Sequence, residues 1–246
     1  MKHPQSVTMT QQFVQRMEQR IISGQLAPGQ RLPNERELAA EMKVSRTIIN
    51  SGIRELARKG FVRVQPRQGT FVEDFLRRGN VETLTSLLHF SGGPLDRRTF
   101  DSLAEFRIHS EAECARLAAL RRTDDDLAAL RACCSEIRAA ANEARVPPNV
   151  EYHRRMFLAT QNMIYPLVFN AFSEIITEWS ALLFCHMPVE EILSALQSIT
   201  DAIEHRQADE AAACMRAYAN RCVRLLDGKY PPALIEKRGP LCPLSV

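Results

Sequence analysis

The sequence predicts a mainly α-helical protein with two domains, of which the first ends in a β-hairpin. Apolar residues recur every third or fourth position along most of the chain, which is the period of an amphipathic helix. The period changes to that of extended strands only around residues 61–73. Pro and Gly clusters interrupt the helical pattern at intervals that suit loops.

The composition is that of a globular chain with a core of its own. Its 246 residues are 45% apolar and 25% charged. Seven cysteines are present without C-x-x-C spacing, which argues against a disulfide framework and a zinc cage and favours the cytoplasm. The N-terminus lacks an apolar signal segment, and no uninterrupted apolar run reaches about 18 residues, so we expect no membrane span.

The charge is unevenly distributed. Residues 1–78 hold 14 Lys and Arg against 7 Asp and Glu, whereas the remainder holds 18 against 22. A basic first part and a mildly acidic second part indicate two domains with different partners. The partner of the basic first domain is expected to be a polyanion. We therefore expect a polyanion-binding domain over 1–74, a polar linker over 75–80, a helical domain over 81–235 and an irregular tail over 236–246.

Three helices are predicted in the first domain. An amphipathic helix spans 8–23 and is followed by the loop GQLAPGQRLP. A second helix starts at Asn34, where Glu37 completes a capping box. A third starts after the cap Ser45 and ends at Gly60. The segments FVRV and TFVED, joined by the turn QPRQG, then predict a β-hairpin.

Two helices joined by a short turn predict a helix-turn-helix, whose second helix enters the DNA major groove. Ser45 and Thr47 suit phosphate oxygens, and Arg46 suits phosphate or a guanine edge. The hairpin tip would reach the flanking backbone or minor groove through Arg67, Gln68 and Gly69. The alternative is that Ser45 only caps its helix and the arginines form a solvated surface.

The stretch LPNERELAAEMKVSRTIINSGIRELARKGFVRVQPRQGTFV resembles the winged helix of the GntR family of bacterial transcription regulators. The resemblance implies DNA contacts from Arg36, Ser45, Arg46, Thr47 and the wing tip near Gln68 and Gly69. Asn50 and Ser51 replace the family's arginine and glutamate, although Asn50 could still read an adenine edge. Gly52 in mid-helix indicates either tight packing or a tolerated weakness.

The second domain is predicted to be all helix, with segments at 81–90, 99–121, 124–144, 148–161, 164–185, 189–207 and 208–227. In the second segment Leu103, Phe106, Cys114 and Leu117 are predicted to face inward, with Arg107 at the margin of that stripe. Arg107 either pairs with Glu111 one turn on or grips an anionic ligand.

Three stretches resemble the FadR C-terminal domain, the helical effector domain of one GntR subfamily: DSLAEFRIHSEAECARLAA, EYHRRMFLATQN and SITDAIEHRQADEAAACMRAY. Many members hold a divalent metal with one Asp and three His, but the matching positions here are Asn149, His153, Leu196 and Tyr218. Only His153 is a metal ligand by type, so we expect no metal cofactor. The effector cavity is instead expected to be lined by Arg107, Asn149, His153, Asn162 and Tyr218.

These observations favour a ligand-responsive DNA-binding regulator, acting as a homodimer on a two-fold operator, repressing its targets and sensing a small organic acid. An acyl-CoA effector is an alternative, because the family's acyl-CoA-sensing branch also lacks the metal ligands. A second alternative is an architectural DNA binder without a ligand. An enzyme with His153 as base is the third, but no catalytic constellation supports it, so we expect a non-enzyme without cofactors.

Overall fold

The computed structural model describes residues 8–88 and 97–227, and the chain divides into two compact units, Met1–Gly92 and Gly93–Val246. Five helices and one antiparallel hairpin make up the described part of the first unit. Their bounds are α1 Met9–Ile22, α2 Glu35–Met42, α3 Arg46–Arg58, β1 Val62–Gln65, β2 Gly69–Val72, α4 Phe75–Arg78 and α5 Val81–Leu88. This arrangement confirms the predicted helix-turn-helix with a wing.

Side-chain caps fix the starts of the first three helices. Thr8 and Gln11 form a capping box on α1, and Asn34 and Glu37 form the predicted one on α2. The Ser45 hydroxyl oxygen accepts the Ile48 N–H and begins α3. Each cap satisfies backbone N–H groups that have no partner within the helix, so these helices begin where their sequences predict.

The first three helices and the hairpin enclose one core. Its largest fully buried side chains are Phe13, Met17, Leu38, Ile49, Leu56 and Phe61. Gly52 lies where α3 meets α1, and a Cβ there would come within 2.2 Å of Phe13 Cδ1. The structure therefore favours tight packing as the reason for this mid-helix glycine.

The hairpin pairs Val62 with Val72 and Gln65 with Gly69. Arg67 in its turn has a φ of +64°, and Gly69, the first residue of β2, has a φ of +120°. An isolated antiparallel bridge joins Arg31 to Phe71, so the loop before α2 is attached to the edge of the wing. This third backbone segment stabilises a hairpin that would be marginal alone.

The region after the wing differs from the prediction of a polar linker over 75–80. The chain forms α4 there, and the Phe75 ring packs 6.0 Å from Phe61. Helix α5 also belongs to the first unit, because the Thr83 hydroxyl donates to the Lys59 carbonyl and the Ser86 hydroxyl to Glu18. The boundary between the units therefore lies after Gly92 and not after residue 80.

The second unit is all helix in its described part, as predicted. Its elements are α6 Arg97–Arg121, α7 Asp124–Ala139, a 3-10 helix Asn142–Arg145, α8 Val146–Ala159, α9 Ile164–His186, α10 Val189–Glu204 and α11 Ala208–Leu226. The predicted helix over 124–144 is split, because α7 ends at Ala139 and the 3-10 turn leads into Pro147 and Pro148 in the first turn of α8. The predicted tail, 236–246, lies outside the described residues.

Helix α6 is rotated relative to the prediction. It packs against α8 and α11 through small residues, including the fully buried Ala112, Ala115 and Ala119. Cys114 and Leu117 are buried as predicted, but Phe106 is 44% exposed and stacks on Phe172. Arg107, which was expected at the margin, is buried instead. Small side chains allow close contact between helices, so the face of α6 that carries the alanines is the face that packs inward.

Helix α9 is, within the described residues, the single helix whose length and apolar composition would also fit a membrane span. The buried share of its most apolar stretch is 44%, and Trp179 and Leu183 are almost fully buried. Core helices of folded domains meet the same criteria, so one such helix is weak evidence for a span.

Candidate functional site

The start of α3 presents the polar groups that the sequence assigned to DNA contact. Arg46 and Thr47 are exposed in its first turn, next to the cap Ser45. The N-terminal N–H groups and the helix dipole favour an anion at this end. The Ser45 oxygen is used by the cap, but its O–H proton can still be donated to a phosphate.

The cations of the first unit fall into two sets. Seven have a carboxylate within 4 Å: Arg16, Arg20, Arg58, Lys59, Arg63, Arg77 and Arg78. Among the described residues no carboxylate lies that close to Arg31, Arg36, Arg46 or Arg67. Lys43, at the end of α2, and Arg54, further along α3, also lack such a carboxylate in the described part of the chain. The four arginines just named belong to the first turns of α2 and α3, the wing tip and the loop beside it. These guanidinium groups are free to bind phosphate.

The wing tip carries an arginine that the sequence analysis missed. A Cβ at Gly69 would lie 2.8 Å from Arg31 Nε, so the glycine lets the Arg31 side chain cover the hairpin tip. Arg67 and Gln68 are exposed beside it, as predicted. Arg31 comes 36 residues before Arg67 in the chain, and the bridge to Phe71 with its neighbouring backbone hydrogen bonds brings the two segments together.

Asn50, which the sequence assigned to base contact, is half-buried. Its amide N–H donates to Glu35 Oε1 at 2.8 Å, and its amide oxygen accepts from the Arg54 guanidinium. Both ends of the amide are therefore engaged within the first unit. The sequence did not reveal this, because Glu35 lies on the neighbouring helix.

In the second unit, a cluster of polar side chains lies in the interior between α6, α8 and α11. Arg107 Nε donates to Glu111 Oε1 at 2.7 Å, and the two side chains are 8% and 1% exposed. Glu111 Oε2 lies 3.6 Å from Nδ1 of the fully buried His153. The sequence analysis gave an ion pair with Glu111 and an anion site as alternatives for Arg107. The two are compatible, because the ion pair uses Nε, while Nη1 and Nη2 have no hydrogen bond within the described residues.

Two more predicted residues join this cluster. The Asn149 amide donates to the Ser180 hydroxyl at 3.0 Å, and its oxygen lacks a partner in the described part of the chain. The Tyr218 ring stacks at 6.4 Å from His153, and its buried hydroxyl has no hydrogen bond to a described nitrogen or oxygen atom. Cys222 lies next to Tyr218 and close enough to Arg107 for an electrostatic interaction with the guanidinium.

Burial and charge set the protonation of the cluster. Burial is the largest single influence on Arg107 and opposes its charged form, but Glu111, together with Cys222 and Tyr218, outweighs burial and raises the pKa of the guanidinium. Burial lowers the pKa of His153, against the opposing effect of Glu111, and keeps the imidazole neutral. Burial raises the pKa of Tyr218 and raises that of Cys222 to about 11. The cluster therefore holds one ion pair among neutral groups.

A small cavity adjoins Arg107. Its volume is about 20 Å³, enough for a water molecule, and its walls are largely apolar. The lining includes Leu103, Phe106, Arg107, Glu111, Phe169 and Trp179. The Arg107 guanidinium also stacks 5.3 Å from the Trp179 ring. Asn162 is elsewhere: it lies in the turn before α9, where its side-chain oxygen accepts the Ile164 N–H.

Both units match known family models. Residues 9–72 match the model of the bacterial regulatory proteins of the gntR family, and residues 102–221 match that of the FCD domain. The chain belongs to the GntR family. The model matched by the first unit of this GntR-family chain is that of regulatory proteins, and relatives are named transcriptional regulators or repressors, which agrees with the prediction of a regulator and not an enzyme.

Individual relatives agree with this assignment. The HTH-type transcriptional regulator Mce2R of Mycobacterium tuberculosis is 36% identical, over 45% of each chain. The galactonate operon transcriptional repressor of Escherichia coli is 27% identical over 84% of this chain and 91% of its own. The solved structure of Lar from Listeria monocytogenes has the same fold, with a TM-score of 0.50 and 15% identity over 92% of this chain and 99% of that one.

The side chains that this chain offers at the positions of the family's metal site are a poor set of metal donors. His153 supplies an imidazole, Asn149 an amide, Tyr218 a phenol and Leu196 an alkyl side chain. The phenol is held protonated by burial. Within the described residues no group of three His, Cys, Asp or Glu side chains is placed to hold an ion. These residues do not fit the family's divalent metal.

Proposed function

We propose that this protein is an effector-responsive transcription regulator, which binds duplex DNA through its first unit and a small organic acid through its second. The division of the cations supports DNA binding most directly. Arginines at the starts of α2 and α3 and at the wing lack carboxylate partners within the described residues, whereas most cations elsewhere in the first unit are paired. Phosphate contacts favour unpaired guanidinium groups, which make affinity salt-dependent.

Direct titration tests this part of the proposal. The full-length protein is mixed with fluorescent random-sequence duplexes at low ionic strength, and binding is followed by anisotropy over a series of salt concentrations. We expect binding whose logarithm falls linearly with the logarithm of salt concentration. A folded protein that leaves the duplex unbound at every salt concentration would contradict the proposal.

The effector site is proposed at the buried cluster around Arg107. Native proteins leave few buried polar atoms without partners, yet several such atoms occur together here: Arg107 Nη1 and Nη2, Glu111 Oε2, Asn149 Oδ1, and both ring nitrogens of His153. Such a concentration points to a ligand or to bound water. The guanidinium fork suits a carboxylate, which it can bind through two parallel hydrogen bonds.

The unpartnered acceptors narrow the ligand further. Glu111 Oε2 and Asn149 Oδ1 need hydrogen-bond donors, while the Arg107 fork needs an acceptor. A small acid that also carries a hydroxyl or amino group supplies both. An acyl thioester has the acceptor but lacks the donor at its acyl end, so we favour the organic acid over the acyl-CoA alternative.

The cavity must open before an organic acid can bind. At about 20 Å³ it accommodates a water molecule, whereas typical ligand sites are roughly 300 Å³ or more. Effector binding would thus favour a more open arrangement of the second unit and shift its population. The same small volume favours the ligand-free architectural protein, which is the competing function.

Thermal unfolding distinguishes the two functions. Paired acids that differ by one hydroxyl, such as glycolate with acetate and lactate with propionate, are added to the full-length protein, with acetyl-CoA as a third probe. A rise in Tm for the hydroxy acids supports the proposal. The matched control is Arg107→Met with Glu111→Leu, which removes both buried charges and should abolish the rise. No response to any acid in the panel would favour the architectural reading.

Repression by a homodimer is proposed on the basis of the relatives. One of them is named a transcriptional repressor, and a two-fold protein matches a two-fold operator. Metal independence is proposed from the donor set. Elemental analysis of the purified protein should find much less than one divalent ion per chain, and a stoichiometric ion would contradict that part.

A further inference from the structure

We infer that Arg54, and not Asn50, reads a base from the recognition helix α3, and that Asn50 is the residue that positions it. The inference rests on the proposed DNA-binding function. Arg54 is exposed, and it lies two turns beyond Thr47 on the same side of the helix. The opposite side is buried in the core through Ile49, Ile53 and Leu56.

A chain of hydrogen bonds holds the Arg54 guanidinium. Glu35 on α2 accepts from the Asn50 amide nitrogen at 2.8 Å, which turns the amide oxygen toward Arg54 Nη2. The Arg54 side chain thus bends one turn back toward the N-terminal end of α3. This is the end of a recognition helix that contacts base edges.

The same hydrogen bonds argue against Asn50 as the residue that recognises a base. An asparagine reads adenine by using its amide oxygen and amide nitrogen together. In Asn50 both are engaged, so adenine recognition would require breaking the bonds to Glu35 and Arg54. Reading guanine through Arg54 needs no such change, because a guanidinium has five N–H donors and can keep one on Asn50.

Charge supports the same assignment. Within the described residues no carboxylate lies within 4 Å of Arg54, whereas Arg58, one turn further on, is paired with Glu82. A solvated arginine would need no hydrogen bond to Asn50, an amide that is itself held by Glu35 of the neighbouring helix. An arginine that binds guanine O6 and N7 through two hydrogen bonds gains from being held in place beforehand.

The test begins with selection of preferred duplexes from a random library by the full-length wild-type protein. The selected site and all of its single-base variants are then titrated by anisotropy with the wild type, Arg54→Ala, Arg54→Lys, Asn50→Ala and Arg58→Ala. Circular dichroism and Tm check that each variant is folded. Base preference is scored separately from overall affinity, because phosphate contacts change only the latter.

We expect Arg54→Ala to remove the preference for one guanine position, with a loss of roughly 5- to 150-fold on the selected site and much less on duplexes that lack this guanine. Arg54→Lys should keep the charge without restoring the preference. Asn50→Ala should weaken the preference at the same position, and Arg58→Ala should leave it intact.

Several outcomes would overturn the inference. One is an Arg54→Ala variant whose base preferences are all unchanged. Another is an Arg54→Lys variant that matches the wild type, which would indicate a phosphate contact. Asn50→Ala could remove a preference at an A·T pair that Arg54→Ala leaves intact, which would make Asn50 the reader. Binding without any sequence preference would also overturn it. A wild type that fails to bind duplex at all would instead refute the proposed function.

Discussion

The two units differ in the solvent exposure of their unpartnered polar groups. In the first unit these groups are exposed guanidiniums such as Arg46 and Arg67, which water solvates. In the second they are buried atoms of Arg107, Asn149 and His153. An exposed unpaired charge has little effect on stability, but a buried unpaired polar group is costly and persists when it serves a function. The difference fits the proposed function, in which one unit binds a large polyanion and the other a small enclosed ligand.

The same contrast applies to ion pairs within the second unit, where Glu111 and Glu113 lie on one helix. Glu111 is paired with Arg107 in the interior, while Glu113 is paired with Arg116 at the surface. Both pairs join side chains about one turn apart on α6, and the surface pair has the additional hydrogen bond. The consequences of losing a partner are nevertheless expected to be larger for the buried pair, because desolvation makes an unpaired buried charge much more costly than an exposed one.

The largest expected effect is on stability. Glu111→Ala leaves the Arg107 charge buried without a carboxylate and should lower the free energy of unfolding by about 3–5 kcal/mol. The control Glu113→Ala should cost at most about 1 kcal/mol. Urea unfolding of the full chain measures both. If Glu111→Ala fails to fold, Arg107→Met should restore folding in that background. Equal effects of the two Glu variants would contradict the comparison.

The second expected effect is on DNA affinity. Arg46→Ala removes an unpaired guanidinium from the start of α3 and should weaken binding by about 1–3 kcal/mol if Arg46 contacts a base. Arg16→Ala is the control, since Arg16 lies 3.9 Å from Glu41 and is paired before DNA arrives. Anisotropy titration on one duplex compares the two. An unchanged affinity for Arg46→Ala would remove Arg46 from the interface.

Local sequence signals predicted most of the first unit. Asn34 and Glu37 define the start of α2 by their own spacing, and the turn QPRQG defines the wing. Contacts between distant residues were not predictable in this way. The placement of Arg31 over Gly69 requires the bridge to Phe71, and the Asn50 network requires Glu35 on another helix.

The second unit was predicted less well, because periodicity gives the existence of a helix more reliably than its rotation. A stripe drawn through Leu103 and Phe106 left Arg107 at its margin, whereas packing through small alanines turns Arg107 inward. Of the residues that the family resemblance assigned to the effector site, His153 and Tyr218 lie in the buried cluster with Arg107 and Glu111, and Asn149 lies one turn before His153 on α8. Asn162 was misplaced by the same reasoning, since its polar atoms serve the turn before α9.

A third effect concerns pH. Burial places the folded-state pKa of His153 below its unfolded value of about 6.5, so the unfolded chain takes up the proton first as pH falls. Its contribution to stability is therefore full above pH of about 6.5 and is lost as pH falls toward the folded pKa. His153→Gln should make Tm less dependent on pH between about 7.5 and 5.5. The exposed His109 provides the control, and an equal change in His109→Gln would contradict this origin.

The smallest expected effect is at the wing. Arg67→Ala removes one exposed guanidinium, which is expected to contact phosphate and carry no base information. Affinity should then fall by a similar factor on every duplex, and the slope of log affinity against log salt should decrease by about 1. Arg63→Ala is the matched control on the same hairpin, because Arg63 lies 3.8 Å from Glu73 and over the Phe71 ring. If both variants change the slope equally, a carboxylate within 4 Å does not withhold an arginine from DNA, and the division of the cations loses its meaning as evidence for the interface.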